Sequence, residues 1–157
     1  RCCRFDEKDA RALGRTASGV RGINIDDDDE VIGMIAYDPT AEDSSAHSLL
    51  VVSEHGYGKR SDFDEYRKTN RGGKGVKTLN ITEKTGELVA MKNVTDENDL
   101  MIINRSGITI RMAVSDIKVA GRATQGVRLI NIKDGDSIAA ISAVNKTEDD
   151  APDQTNE

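Results

Sequence analysis

Residues 14–25 read GRTASGVRGINI, residues 70–81 read NRGGKGVKTLNI and residues 121–132 read GRATQGVRLINI. The three stretches align without a gap. Each carries an Arg, three further residues, Gly-Val and a base, and closes on an apolar-Asn-Ile ending. The central glycines are Gly19, Gly75 and Gly126, so the interval is 56 and then 51 residues. The match extends outward. LLVVSEHGYGKR (residues 49–60) lies over LMIINRSGITIR (residues 100–111), and Arg4 stands 56 residues before Arg60. A further apolar run follows each centre: VIGMIAY (31–37), LVAMKNV (88–94) and IAAISAV (138–144). Self-similarity at this period marks an array of stacked units, none of which can bury its apolar faces alone.

Each unit holds short apolar runs divided by turn signals. In the third they are residues 100–103, 109–113, 127–132 and 138–144. Ser106-Gly107 marks a tight hairpin between the first two, and Asp134-Gly135 a turn between the last two. Runs of this length predict strands; only residues 6–13 show a weak helical period. Composition agrees, with Val and Ile numbering 25 against seven Leu among 157 residues. β-Branched side chains lose freedom in helices and pack well on pleated surfaces. The expectation is an all-β, propeller-like array of three four-stranded blades. Its units are residues 1–48, 49–99 and 100–147, followed by an acidic, disordered tail at 148–157. The longer first interval is taken up by PTAEDSSAH (39–47), a polar loop insertion.

Charge is segregated. The net value is −6, but residues 148–157 hold five acids and no base, and residues 26–30 read DDDDE. Without these two runs the remainder is +4. Such runs are solvated loops or tails, and they can also compete for a basic surface. No stretch approaches the length of a membrane-spanning helix, and no basic-then-apolar leader opens the chain. The absence of an initiating Met suggests a piece of a longer protein. Cys2 and Cys3 are adjacent, which argues for reduced thiols rather than a disulfide or a zinc site.

Bases recur beside the glycine turns: Arg15 and Arg21, then Arg71, Lys74 and Lys77, then Arg122 and Arg128. Lys59, Arg60, Arg67 and Lys68 crowd into the second unit. Gly19, Gly72, Gly73, Gly75 and Gly126 would let the backbone approach a ligand closely. Guanidinium forks match phosphate oxygens, and a regular row of them suits a regularly charged polymer. The other use of these residues is structural, with arginines bridging acids of the next unit and glycines serving turn geometry.

Other chemistries fail on spacing. A P-loop needs Gly at 68 and Ser or Thr at 75, where Lys68 and Gly75 stand. In the acidic run, a calcium loop's glycine and closing acid are replaced by Val31 and Tyr37. His47 and His55 lie in or beside turns with no Ser or Cys constellation. No catalytic or metal-binding set is expected. Tyr66 stands beside Arg67 as either a rim residue or a core tyrosine.

The recurring Gly/Asn-Arg-x3-Gly-Val-Arg/Lys pattern, with GYGKRSDFDEYR (56–67) between two copies, resembles the C-terminal domain of the DNA gyrase A subunit. The resemblance covers residues 1–147, and the acidic end is similar to the tail that follows that domain in many gyrases. It implies a six-bladed β-pinwheel that wraps duplex DNA around its rim, of which this chain would hold the last three blades. The family's Gln-Arg-Arg-Gly-Gly-Lys-Gly box belongs to an earlier blade; residues 69–75, TNRGGKG, share its last five positions and read as an echo of the repeat. The resemblance further implies a cytoplasmic, nucleoid-associated type II topoisomerase, assembled with the gyrase B subunit as A2B2. ATP and Mg would be used elsewhere in that enzyme, with no cofactor in this part. Two alternatives stand beside it: the C-terminal domain of the topoisomerase IV A subunit, and a protein-interaction propeller with no nucleic-acid role.

Overall fold

The computed structural model describes residues 1–146. The regular elements among them are seven β-strands and four single-turn 3-10 helices. The strands are β1 (Ser48–Ser53), β2 (Tyr57–Ser61), β3 (Leu88–Val94), β4 (Asn98–Asn104), β5 (Thr109–Ala113), β6 (Val127–Arg128) and β7 (Ile138–Asn145). They form one antiparallel sheet in the order β3-β1-β2-β6 and another in the order β5-β4-β7. Gly107 and Gly135 take positive φ at the expected turns, and Gly56 does so between β1 and β2. The period of the sequence survives in detail: a register shift falls between Val52 and Ser53 and again, 51 residues on, between Ile103 and Asn104.

β1 explains its own composition. Every residue of SLLVVS is buried, and successive side chains point to opposite faces of a strand. Leu50 and Val52 enter a core with Val94 of β3, Leu100 and Ile102 of β4, and Ile138 and Ile141 of β7. Leu49 and Val51 enter another with Phe63, Tyr66 and Leu79. The second core is completed by partly buried Cys2, Ile35 and Tyr37, and the Tyr37 ring stacks on Phe63 at 4.0 Å. The first sheet is therefore sandwiched between the second sheet and the strandless first unit. Tyr66 is a core residue, 1% exposed, bonded through its hydroxyl to Thr78.

The all-β, propeller-like class is as expected, but the strands are allotted differently. Among the described residues they make one sheet of four strands and one of three, as partial blades. The first unit forms no strand, because residues 31–37 find no partner corresponding to β1 among the described residues. The second unit's fourth strand is borrowed: β6, from the third unit, pairs with β2 through Tyr57↔Arg128 and Gly58↔Val127. Only Val127–Arg128 of the run 127–132 is strand, since Leu129 and the residues after it turn over the β1–β2 hairpin tip at Gly56. The weak helical period at residues 6–13 is a single 3-10 turn, Glu7–Asp9, capped by the Asp6 carboxylate. The acidic tail at 148–157 lies outside the described residues.

The borrowing repeats one unit earlier. Cys2 and Val76, the counterparts of Gly58 and Val127, exchange N–H···O bonds of 2.8 Å in both directions. Thr69 N–H donates to the Arg4 carbonyl at 2.8 Å, and Ala120 N–H donates to the Arg60 carbonyl at 2.7 Å. The first unit is thus stitched to the second, and the second to the third, by the same backbone pairing. This contact requires the glycine before it. Gly126 has φ +80°, and a Cβ there would lie 2.5 Å from the Gly58 carbonyl oxygen. Gly75 has φ +67°, and a Cβ there would collide with the Cys2 carbonyl. Gly75 and Gly126 thus serve the junction between units.

Candidate nucleic-acid interface

The arginine that defines the repeat is a staple. Arg71 Nε donates to the Asp9 carbonyl at 2.9 Å, and its Nη1 to the Arg21 carbonyl. Arg122 Nε donates to the Glu65 carbonyl at 3.1 Å, and its Nη1 to the Lys77 carbonyl. These acceptors occupy matching positions, so each arginine clamps the two ends of the same segment in the preceding unit. The expected acids are not the acceptors; main-chain carbonyls are. A guanidinium engaged in this way has its fork turned inward. Arg15, the third member of the row, is exposed and makes no such bond among the described residues.

Two bases expected at the rim are interior. Lys59 is 1% exposed, and its ammonium donates to the carbonyls of Gly121 at 2.7 Å and Thr124 at 3.2 Å, and to that of Arg122. It replaces the solvent that this turn would otherwise need. Burial pushes its pKa down to about 8; the Arg122 charge acts in the same direction and Glu65 opposes it. Arg60 is 6% exposed, bonded to the Ile117 carbonyl at 2.7 Å and to Asp96 Oδ1 at 2.6 Å. Both are corrections: burying a cation is costly unless every donor is satisfied, and here the next unit supplies most of the acceptors.

Three other bases are partly committed. Lys68 pairs with Asp6 at 2.6 Å, and Arg21 reaches Asn24 at 3.5 Å. Arg128 donates to the Tyr57 hydroxyl at 2.8 Å and lies over its ring at 5.4 Å from the centroid. That hydrogen bond holds the Tyr57 phenol below its usual range.

A different row is open. The side chains of Arg67, Lys74 and Lys77 are exposed and make no hydrogen bond or ion pair among the described residues. Arg67 has counterparts at Arg11, 56 residues earlier, and Lys118, 51 residues later. All three are exposed and unpartnered among the described residues. Arg11 and Lys118 stand apart from the glycine turns and so fall outside the set expected from sequence, although the intervals that reveal the repeat also reveal them. Around Arg67 the TNRGGKG turn forms a concavity of about 540 Å³ lined by Arg1, Arg67, Arg71 and Lys74, by Gly72 and Gly73, and by no acid. Lys74 is particular to this unit, since Ser18 and Gln125 hold its place in the others. An open, acid-free set of cations with accessible main chain suits a polyanion. Among the described residues no group of His, Cys, Asp and Glu could hold a metal ion, and no helix is long and apolar enough to cross a membrane.

Comparison with known proteins agrees with this architecture. The model of the DNA gyrase C-terminal domain, β-propeller, matches residues 3–38, 47–95 and 98–145. The DNA gyrase A subunit of Staphylococcus aureus is 49% identical over 154 residues, which cover 98% of this chain and 17% of that protein. Its Staphylococcus epidermidis equivalent is 47% identical over 146 residues, 93% of this chain and 16% of that protein. The chain thus spans about one sixth of the length of these relatives. Among solved structures, a DNA gyrase A C-terminal domain superposes with a TM-score of 0.76 at 23% identity, covering 88% of this chain and 45% of that one. The C-terminal domain of a DNA topoisomerase IV also gives 0.76, at 19% identity, covering 90% of this chain and 42% of that one. These two likenesses show the fold. Family model and sequence identity together show the family: this chain belongs to the β-propeller C-terminal domains of DNA gyrase.

Proposed function

We propose that this chain binds duplex DNA through its phosphates, without reading base sequence, and favours bent DNA along its basic row. The observation that carries the reading is one exposed, unpaired cation at the same place in each of three repeats: Arg11, Arg67 and Lys118. Lys74 and Lys77 thicken the row in the middle unit. Phosphate contacts position a protein on DNA and carry no sequence information. Family membership supports placing this surface in the A subunit of a type II topoisomerase that introduces negative supercoils. In that reading the chain does no covalent chemistry and binds no cofactor. ATP and Mg serve other regions, the gyrase B subunit is the partner, and the assembly is A2B2 in the bacterial cytoplasm. Gyrase is favoured over topoisomerase IV because the named relatives at 47–49% identity are gyrase subunits.

Fluorescence anisotropy with two duplexes of equal length and unrelated sequence tests the binding. Equal affinities, falling together as salt rises, are expected. Ligation of a nicked circle in the presence of the chain tests the bending, with a shifted linking-number distribution expected. No binding at low salt, or a strong preference for one duplex, would remove the reading.

A further inference from the structure

Two cations converge on one tyrosine ring where the second unit meets the third. Lys84 Nζ and the Arg128 guanidinium each lie 5.4 Å from the centroid of Tyr57. Neither has a carboxylate partner among the described residues. The negative face of the π-system attracts both charges and offsets their mutual repulsion. The arrangement occurs once in the repeat. By the repeat intervals Tyr57 corresponds to Arg1 and Ile108, and Lys84 to Asp28 and Gly135.

Both cations are held from the main chain outward. Arg128 lies in β6, opposite Tyr57 in register. Its Nη2 and Nε donate to the Tyr57 hydroxyl at 2.8 and 3.3 Å, and its Nη1 donates to Asn131 Oδ1 at 3.2 Å. One N–H on each terminal nitrogen is left over. Lys84 stands in the turn before β3, and the β1–β2 hairpin tip grips that turn. His55 N–H donates to the Thr85 carbonyl at 3.1 Å, and His55 Nδ1 donates to the carbonyls of Glu83 at 3.1 Å and Lys84 at 3.3 Å. Carbonyls only accept, so this ring nitrogen carries the proton. Lys84 and Arg128 are exposed, whereas the tyrosine beneath them is 6% exposed. Lys77, the counterpart of Arg128, stays exposed although Arg122 of the third unit is docked on its carbonyl. The exposure of this position is therefore a property of the repeat.

We infer that Lys84 and Arg128, set in place by Tyr57, form a second grip on duplex DNA phosphate in addition to Arg11, Arg67 and Lys118; the inference rests on the DNA-binding reading above. Two fixed cations with spare N–H groups and no acid between them suit phosphate oxygens. The contact is to phosphate and not to a base, because the ring is too covered for a base to stack on it. Tyr57 is a positioning residue. A long side chain loses freedom when it meets a ligand, and that loss weakens binding. Lys74 and Lys77 face it in full, whereas the ring has already ordered Lys84 and Arg128.

Anisotropy titrations of the 157-residue chain on a random-sequence duplex, repeated across salt, test the grip. Lys84→Ala with Arg128→Ala should flatten the slope of log K against log salt by about 1.8, and Lys84→Ala alone, outside the strands, by about 0.9. Lys84→Arg with Arg128→Lys keeps both charges and should keep the original slope. Tyr57→Ile introduces the residue type that the third unit carries at Ile108. It should keep the slope and weaken binding about tenfold, because the DNA must then order both cations. If both alanine variants keep the original slope while Arg11→Ala, Arg67→Ala and Lys118→Ala combined lower it, the inference falls and the DNA-binding reading stands. Tyr57→Ile binding as tightly as the unsubstituted chain would overturn the positioning role. A chain that binds no duplex at low salt removes the reading and the inference together.

Discussion

Two bases of one turn, Arg71 and Lys74, separate structural from electrostatic roles. Consider Arg67→Ala with Lys74→Ala on one side, and Arg71→Ala alone on the other. The Arg67 and Lys74 side chains make no hydrogen bond or ion pair among the described residues. Their loss should leave thermal stability within about 0.5 kcal/mol, the range of surface substitutions. Each phosphate contact contributes about 0.9 to the slope of log K against log salt, so losing two should flatten the slope by about 1.8. Between about 50 and 200 mM salt that amounts to about twelve-fold less sensitivity to salt. Arg71→Ala should behave oppositely. It deletes two charge-assisted bonds to carbonyls of the preceding unit. At a partly exposed site such a loss costs about 1–3 kcal/mol, or roughly 4 °C in Tm per kcal/mol for a domain of this size. Its salt slope should equal that of the unsubstituted chain. Scanning calorimetry and anisotropy titrations at several salt concentrations read both quantities. A stable Arg71→Ala with a flattened slope would refute the division of labour, as would a destabilised double variant with an unchanged slope.

Lys59 gives a pH dependence of definite sign. Its folded pKa of about 8 lies below the ordinary 10.5, so between these values the unfolded chain holds the extra proton; stability should rise with pH through that window, and Lys59→Met should lose this rise in pH-dependent denaturation. Gly126→Ala places a Cβ 2.5 Å from the Gly58 carbonyl at φ +80°, which should cost at least about 2 kcal/mol in urea unfolding. Leu100→Ala empties a fully buried site between the two sheets and should cost about 2–5 kcal/mol, read in the same assay. Deleting residues 148–157 removes five acids, and should strengthen DNA binding most at low salt, where screening is weakest; equal affinity there would reduce the segment to a solubilising extension.

The repeat was legible because its constraints are local. Positive φ at Gly19, Gly75 and Gly126, the apolar run within residues 48–53, and the hairpin turns at Gly56 and Gly107 all leave marks at fixed intervals. The exchange of β6 was not legible. Tyr57↔Arg128 joins residues 71 apart in sequence, and nothing in a run such as Val127–Arg128 says whose edge it will pair with. The same holds for the bases. Arg, Gly-Val and a base at fixed spacing look alike whether the arginine faces solvent or a neighbour's carbonyls. Lys59 sits in an apparently polar GYGKRS stretch, yet it is interior because the 121–124 turn closes over it. The repeat register held the needed information for Arg11 and Lys118, but these positions carry no glycine to mark them.

The central claim is that one exposed cation per repeat grips DNA phosphate. It is tested most directly by Arg11→Ala, Arg67→Ala and Lys118→Ala combined, with affinity for a random-sequence duplex measured across salt. The account predicts a slope lower by about 2.7, three contacts at about 0.9 each, and an unchanged Tm. A triple variant that keeps the original slope and affinity would contradict it.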